Sequence, residues 1–252
     1  MKKLLLILLC LPFIGFGQNV NIPDANFKAV LVGNSTINTN GDSEIQVSEA
    51  TAFNGTIDCE SMNISNLTGI EAFTTLENLQ CGSNNLTSLD VTSNTSLIEL
   101  WCSFTQLTSF DVSNNTNLTL LYCPYNQLTT LDVSATTALT MLWCEENNQL
   151  TSLDLRNGNN TNFHLMDAYD NPNLTCINVD DVAWSTTNWT NIDSHHYFSN
   201  NCPPPTSIEE HTTNKELLKI VDILGRETDE KRNTPLFYIY NNGTVEKKII
   251  IE

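Results

Sequence analysis

The apolar residues of this chain recur with a period of 21 positions. A leucine, a variable residue and a cysteine occupy positions 79–81, and the same triplet returns at 100–102, 121–123 and 142–144. A fixed period of 20 to 50 residues is typical of solenoids. Because side chains alternate along a strand, the pattern predicts one short strand per repeat, with leucine and cysteine buried and the residue between them facing out.

The repeating frame extends beyond these four copies. Related triplets stand at 57–59 and 166–168, at spacings of 22 and 24 residues from their neighbours. The return half of each repeat, as in 128–139, is rich in Asp, Ser, Asn and Thr, which predicts turns and extended segments instead of a helix. We expect the aspartates of this half to cap nearby backbone amides, or alternatively to form a cation-binding ladder. These aspartates are Asp90, Asp111, Asp132 and Asp154.

The full repeat motif is Leu-x-x-Leu-x-Cys-x-x-Asn-x-Leu, as in residues 118–128. Over residues 56–180 the chain resembles leucine-rich repeats of the short bacterial type. The resemblance implies a solenoid that coils in a right-handed sense, with a parallel β-sheet on its concave face. Asn84, Asn126 and Asn171 follow the strand, where their amides are expected to bond turn backbone. Thr105 replaces this asparagine in one repeat.

Five cysteines share one repeat position, namely Cys59, Cys81, Cys102, Cys123 and Cys144. Equivalent positions on neighbouring parallel strands lie about 4.8 Å apart, whereas a disulfide needs Cβ atoms about 3.5–4.5 Å apart. We therefore expect buried thiols, with a metal-binding thiolate ladder as the alternative. Cys176 and Cys202 lie outside the frame, and we predict that they form a disulfide that clips an aromatic-rich cap at 181–202.

The N-terminus has the pattern of a secretory signal peptide. Lys2 and Lys3 precede an apolar run over 4–16, and Gly15 and Gly17 fit a cleavage site before Gln18. Residues 1–17 are therefore predicted to be removed on export, with lipid attachment at Cys10 as an alternative. We expect no membrane-spanning segment, because no later apolar run is long enough to cross a bilayer.

Residues 18–55 are predicted to form a cap that contains two short helices and a loop similar to an EF-hand. The helices are expected at 22–32 and 47–53. Oxygen-bearing side chains are spaced along 38–49 as calcium ligands are in an EF-hand loop, although position 1 is asparagine and position 6 is Ser43. The candidate ligands are Asn38, Asn40, Asp42, Glu44 and Glu49. A loop that caps the solenoid with the same turn chemistry and no ion is the alternative.

The C-terminal part is predicted to comprise a stiff linker at 203–216 and a β segment at 217–252. Three apolar runs separated by turn signals predict three strands. The Asp-x-x-Gly-Arg turn at 222–226, the Tyr-Ile strand and the basic-then-apolar end are similar to the C-terminal sorting domain of bacterial type IX secretion substrates. This resemblance implies the type IX secretion machinery as a partner and export across the outer membrane. A small β cap on the solenoid is the alternative.

The charge balance of 11 basic and 29 acidic residues, −18 at neutral pH, disfavours nucleic acid and anionic membranes as partners. No motif of a known catalytic site is present. We therefore predict that the protein is not an enzyme but a secreted or cell-surface binding module. A structural or display protein without a specific ligand is the alternative, and an extracellular hydrolase is the least favoured one. The group Asp193-Ser194-His195-His196 is expected to be a packed or solvated loop, with a metal site as the alternative.

Outward positions of the three central repeats carry aromatic and apolar side chains. Such a patch predicts a ligand-binding face for a protein or a glycan, because Trp and Tyr dominate interface energetics and flat rings stack on sugars. The alternative is that the rings only stack on one another and stiffen the sheet. The candidate residues are Trp101, Phe104, Tyr122, Tyr125, Trp143, Tyr169, Leu120 and Met141. Glu99, Glu145, Glu146, Asp167 and Asp170 are expected to form an acidic rim.

Overall fold

The computed structural model describes residues 18–203, 217–229, 234–240 and 245–249. The chain divides into two compact units between Pro203 and Pro204. The predicted signal peptide at 1–17 and most of the predicted linker at 203–216 lie outside the described residues. Among the described residues, no helix is long and apolar enough to cross a membrane.

The described residues form three α-helices, two short 3-10 helices and thirteen strands. The α-helices are α1 (Ala25–Gly33), α2 (Val47–Ala52) and α3 (Val182–Asn188), and the 3-10 helices cover Ile70–Ala72 and Asn160–Asn162. The strands are β1 (Thr56–Asp58), β2 (Asn78–Gln80), β3 (Glu99–Trp101), β4 (Leu120–Tyr122), β5 (Thr130–Asp132), β6 (Met141–Trp143), β7 (Ser152–Asp154), β8 (Leu165–Asp167), β9 (Cys176–Asn178), β10 (Tyr197–Ser199), β11 (Leu217–Val221), β12 (Pro235–Tyr240) and β13 (Val245–Ile249).

One strand from each repeat joins a six-stranded parallel sheet in the order β1-β2-β3-β4-β6-β8, which we call the concave sheet. Equivalent repeat positions pair, so Leu79 lies opposite Leu100 and Leu100 opposite Leu121. These leucines are fully buried. Each strand ends just before its cysteine, although the pairing continues through it, as in the 2.8 Å bond from Cys81 N–H to the Trp101 carbonyl. The predicted leucine-rich-repeat solenoid is confirmed.

The return half of the repeats forms a second parallel sheet, in the order β10-β9-β7-β5. The sequence predicted only turns and extended segments here. The sheet forms because the apolar centre of each short strand, such as Leu131 and Leu153, is buried and pairs in register with its neighbour. The aspartates cap backbone amides as predicted. Asp111 accepts a 2.8 Å bond from Ser113 N–H and Asp132 a 2.9 Å bond from Ser134 N–H.

A ladder of buried asparagines closes the bend after each concave strand. The Asn126 amide donates to the carbonyls of Cys102 and Cys123 at 2.9 and 3.2 Å, and its oxygen accepts from Leu107 N–H at 3.1 Å. Asn84 and Asn171 make equivalent bonds in their own repeats. The predicted role of these side chains is therefore confirmed, and each links two turns of the solenoid.

Both ends of the solenoid core are covered. At the N-terminal end, α1 buries Phe27 and Leu31, and its N-cap Asp24 also accepts a 2.9 Å bond from Ser65 N–H in the first repeat. At the C-terminal end, Trp189 follows α3 and packs against Phe163 and Phe198. The predicted disulfide between Cys176 and Cys202 is present.

The five in-register cysteines are all buried and free. Burial raises the pKa of Cys59 and of Cys102 to about 12. Thiols with such a pKa are neutral at physiological pH, and only the thiolate binds metals or attacks disulfides readily. The five cysteines therefore act as small apolar core residues, as predicted, and the burial disfavours the alternative of a thiolate ladder.

In the C-terminal unit, β11, β12 and β13 form an antiparallel sheet, so the three predicted strands are confirmed where the structure describes them. The turn after β11 is organised by Asp222. One oxygen of its carboxylate accepts from the backbone N–H of Leu224 and Arg226, at 2.9 and 3.0 Å. The Arg226 guanidinium bonds the other oxygen at 2.9 Å, and Gly225 supplies a left-handed φ of 77°.

Candidate ligand-binding face

Three large aromatic residues occupy the same position in consecutive strands of the concave sheet. Trp101 lies opposite Tyr122, and Tyr122 lies opposite Trp143. The ring centroids of Trp101 and Tyr122 are 4.9 Å apart, and those of Tyr122 and Trp143 are 5.6 Å apart. All three side chains are half-buried, because the parallel register holds each ring against the next.

A second pair of rings lies two residues after the repeat cysteine. Phe104 and Tyr125 are 52% and 43% exposed, and they stack with centroids 4.3 Å apart and planes at 11°. We call these two rings, together with Trp101, Tyr122 and Trp143, the aromatic face. Sequence reasoning placed both residues on the surface, but it did not show how they pack on each other.

Phe104 and Tyr125 also have an unusual backbone conformation. Their φ values are +52° and +56°, in the left-handed region that residues with a Cβ avoid. Every repeat adopts this conformation at the same position; the other members are Ser61, Ser83, Glu146 and Asp170. A bulky aromatic residue is energetically unfavourable in this conformation, and backbone strain of this kind is often found at functional sites.

The remaining predicted ligand-binding residues differ in exposure. Met141 and Tyr169 are half-buried, so each offers part of its side chain to the surface. Leu120 is only 6% exposed, which shows that the prediction of an accessible Leu120 is wrong. Its strand neighbours in register are Glu99 and Met141, whose longer side chains flank it on both sides.

The acidic residues predicted to surround the aromatic face are not all exposed. Glu99 is half-buried and accepts a 3.2 Å bond from the Trp101 indole N–H, which holds that ring in place. Glu145 is 6% exposed, so the prediction that it lies on an open rim is wrong. Burial, aided by the charges of Asp167 and Glu146, raises the pKa of Glu145 above its usual value. No sequence signal distinguished this glutamate from its exposed neighbours.

The EF-hand-like loop is folded by its own polar side chains. Glu49 accepts bonds from the backbone N–H groups of Thr39 and Gln46 at 2.8 and 3.0 Å. Asn38 accepts a 3.1 Å bond from Gly41 N–H, Asn40 accepts from Asp42 N–H, and Asp42 accepts from Glu44 N–H. The Glu44 carboxylate pairs with Lys28 at 2.6 Å. The five candidate ligands lie within this short loop, and calcium binding stays a prediction.

The group of Asp193, His195 and His196 brings its potential ligand atoms within 4.8 Å of one another. Both oxygens of Asp193 accept backbone bonds, from Asp170 and from Asn171, at 2.9 Å each. The buried His196 ring lies 3.2 Å from the Asn171 carbonyl and 3.3 Å from the Asp193 carboxylate. Burial lowers the pKa of His196. These contacts close the last bend of the asparagine ladder, which is a structural role.

The repeated motif, the concave sheet and the asparagine ladder define a leucine-rich-repeat solenoid. In agreement, residues 116–158 match a family model described as leucine-rich repeats in two copies. No curated protein matches the chain significantly.

Several solved structures are similar to the chain. The functional domain of InlJ from Listeria monocytogenes, described as including a cysteine ladder, is 33% identical over 65% of this chain with a TM-score of 0.46. The chain spans only 38% of the length of that structure. An internalin from the same organism, InlF, is 16% identical over 75% of each chain with a TM-score of 0.43. Internalin C2 of this organism is 17% identical over 72% of this chain and 97% of its own, with a TM-score of 0.40.

Proposed function

We propose that the protein is a secreted or cell-surface binding module that recognises a protein or a glycan through its aromatic face. The observation that carries this proposal is the exposure of Phe104 and Tyr125 in left-handed backbone conformation, beside the half-buried row of Trp101, Tyr122 and Trp143. Apolar rings that gather on one exposed face cost solubility, and such patches usually mark interaction sites.

The chemistry of the aromatic face suits recognition and offers no constellation for catalysis. Tyr and Trp provide large, rigid contact areas, and they supply much of the binding energy at protein interfaces. The same flat rings stack on sugar rings. The parallel register fixes their spacing before a ligand arrives, which lowers the entropic cost of binding.

A structural or display role is the second candidate, and the ring-to-ring contacts favour it. Phe104 stacks on Tyr125, and Trp101 and Trp143 both pack on Tyr122. Rings that pack only on one another would stiffen the sheet and bind nothing. If the face binds a ligand, removal of the rings should weaken ligand binding. If the rings only stiffen the sheet, their removal should have no direct effect on binding.

Trp101→Ala combined with Trp143→Ala tests the proposal. The ligand is sought first, by capture from cell-surface extracts and on a glycan array. The double variant is expected to lose binding at least tenfold while keeping the circular dichroism spectrum of the native protein. Tyr197→Ala serves as a control, because Tyr197 is 51% exposed and lies in the second parallel sheet. A folded double variant that binds as tightly as the Tyr197 variant would contradict the proposal.

We also propose that export proceeds by the signal peptide at 1–17 and by recognition of residues 217–252 by the type IX secretion machinery. The disulfide between Cys176 and Cys202 supports an oxidising, extracellular location, since such bonds persist there. The ordered turn at Asp222, with the antiparallel strands around it, offers a compact surface feature for a sorting receptor.

A further inference from the structure

A buried carboxylate lies at the edge of the aromatic face. Glu145 directly follows Trp143-Cys144 and is 6% exposed. Its Oε2 atom is buried and has no hydrogen-bond partner among the described residues. A buried carboxylate oxygen without a hydrogen-bond partner is unfavourable, and such an atom in a native structure calls for an explanation.

The titratable groups that interact with this carboxylate are tyrosines and other acidic residues. The Tyr125 backbone N–H donates to the Glu145 carbonyl at 3.2 Å, which aligns Tyr125 with the Glu145-Glu146 turn. The charge of Glu145 raises the pKa of Tyr169, and it adds to the effect of burial in raising that of Tyr122. Asp167 lies close enough to raise the pKa of Glu145 further. The carboxylate therefore lies near tyrosine side chains and other negative charges.

Both basic side chains of the solenoid and its caps already form ion pairs with carboxylates other than Glu145. Residues 18–203 contain 20 acidic residues but only two basic ones, Lys28 and Arg156. Lys28 pairs with Glu44 at 2.6 Å, and Arg156 pairs with Asp154. Neither ion pair involves the concave sheet. No lysine or arginine of residues 18–203 is therefore the charge partner of Glu145.

We infer that Glu145 anchors a subsite of the aromatic face that takes a basic side chain, arginine or lysine, from a partner protein. The inference rests on the proposed binding function and narrows it to a protein ligand. A cation beside Glu145 would supply the opposite charge that the carboxylate lacks, and the side chains of Tyr122 and Tyr169 lie within electrostatic reach of that carboxylate. Arginine suits the subsite best, because its planar guanidinium stacks on aromatic rings and bonds a carboxylate at the same time.

The half-buried ring of Tyr169 and the exposed ring of Tyr125 do not prevent access. Side chains at the surface change rotamer within nanoseconds, so a ligand can displace a ring to reach the carboxylate. Neutral sugars supply no charge to Glu145, and the acidic field of residues 18–203 repels anions. Charge complementarity therefore favours a basic protein surface over a neutral or acidic glycan.

A pair of small probes tests the subsite on the whole protein. N-acetyl-arginine methylamide carries the guanidinium, and N-acetyl-citrulline methylamide is its neutral isostere. The indole signals of protein labelled with 15N-tryptophan report binding, since Trp101 and Trp143 lie on the aromatic face while Trp184 and Trp189 lie in the C-terminal cap. The arginine probe is expected to shift the first two signals and to bind at least tenfold more tightly than citrulline, about 1.4 kcal/mol. Equal affinity of the two probes would overturn the inference without any mutation.

Glu145→Gln adds a matched test. This variant keeps the shape of the side chain and is expected to reduce the preference for arginine over citrulline to less than threefold. Glu60→Gln is the control, because Glu60 occupies the same position in the first repeat, is exposed and has no aromatic residue in its own strand β1. An unchanged preference in Glu145→Gln would overturn the inference, and so would tighter binding of choline or spermidine than of the arginine probe.

The same variants separate this inference from the proposed function. If the Trp101→Ala/Trp143→Ala variant loses the captured partner and Glu145→Gln binds it fully, the proposed function of the aromatic face stands and the basic subsite is refuted. Retention of the partner by both variants would refute both. Loss of the partner in both variants, with normal binding by Glu60→Gln, is the expected result.

Discussion

Phe104 and Tyr125, one repeat apart, stack ring on ring at 4.3 Å although both residues have left-handed backbone conformation. The two properties are connected. The left-handed turn aims the side chain at position Cys+2 outward, and the parallel register places the next ring directly beside it. The stack is therefore a product of the repeat geometry, and the backbone strain is the cost of having rings at this position.

Replacement of Tyr125 by glycine is predicted to remove the ring without harming the fold. Glycine adopts a positive φ freely, whereas alanine keeps the steric conflict of a Cβ. We expect Tyr125→Gly to be more stable than Tyr125→Ala by about 1 kcal/mol, measured by urea denaturation. Both variants are expected to bind the captured ligand more weakly than the native protein does.

The comparison between the two variants isolates backbone strain from side-chain packing, since both lose the same ring contacts. A Tyr125→Ala variant at least as stable as Tyr125→Gly would show that the left-handed conformation costs nothing here. Ser83→Gly and Ser83→Ala provide the control pair, because Ser83 has a φ of +55° and lies outside the aromatic face.

Thr105 interrupts the asparagine ladder between Asn84 and Asn126. Its hydroxyl lies within hydrogen-bond distance of two acceptors, the Cys102 carbonyl at 3.2 Å and the Asn126 side-chain oxygen, but it has only one proton to donate. An asparagine at this position has a second donor and an acceptor, as Asn126 uses toward Leu107 N–H. We predict that Thr105→Asn stabilises the protein by about 1 kcal/mol, the typical net value of one further hydrogen bond. For a unit of this size, Tm is expected to rise by about 2–4 °C.

The reverse change, Asn126→Thr, is expected to lower Tm by at least as much, because it leaves a buried backbone carbonyl and N–H without their present partner. A lower Tm in Thr105→Asn would mean that the ladder at this repeat has adapted to the smaller side chain.

The repeat architecture was predictable from the sequence because period and alternation together fix which residues are buried. Leu100 and Cys102 recur at positions where only an inward direction is possible in a parallel stack. The second sheet was not predicted, since strands of three residues such as β5 resemble turns in composition. Leu120 and Glu145 were misplaced for a different reason. Their burial depends on the size of side chains in neighbouring repeats, which a single-repeat pattern does not describe.

Acid is predicted to destabilise the solenoid through its capping aspartates. Hydrogen bonds from Thr92 lower the pKa of Asp90, and those from Ser113 lower that of Asp111. A lowered pKa in the folded state contributes stability above the unfolded value of about 3.9, and this stability is lost as pH falls through the folded pKa. The Tm is therefore expected to fall when the pH is lowered below about 4. This decrease should be smaller in the variant that combines Asp90→Asn with Asp111→Asn.

Glu145 provides a control of opposite sign in the same experiment. Its raised pKa means that its favourable contribution is complete below the unfolded value of about 4.3 and is lost as pH rises through the folded value. Glu145→Gln should therefore raise Tm relative to the native protein at pH 7 more than at pH 4. Parallel pH profiles for all three proteins would contradict both assignments.

Calcium is predicted to stabilise the loop at 38–49. Asn38, Asn40, Asp42 and Glu49 present oxygen atoms whose present hydrogen bonds leave lone pairs for an ion. At a calcium concentration of 100 times Kd, binding to the folded state alone contributes about 2.7 kcal/mol. We expect a higher Tm in calcium than in chelator for the native protein and no difference for Asp42→Ala. Equal Tm values for the native protein in both buffers would refute the calcium site, and magnesium at the same concentration controls for ionic strength.

The Asp222–Arg226 turn is predicted to be needed for export. The Asp222 carboxylate holds two backbone amides of the turn and the Arg226 guanidinium, so its removal leaves the turn without its organising group. In a bacterium with a type IX system, Asp222→Ala combined with Arg226→Ala is expected to leave most of the protein in the periplasm, as measured by cell fractionation. Arg156→Ala is the matched control, because Arg156 forms a similar pair with Asp154 in the solenoid. Normal surface delivery of the double variant would show that the sorting machinery does not read this turn.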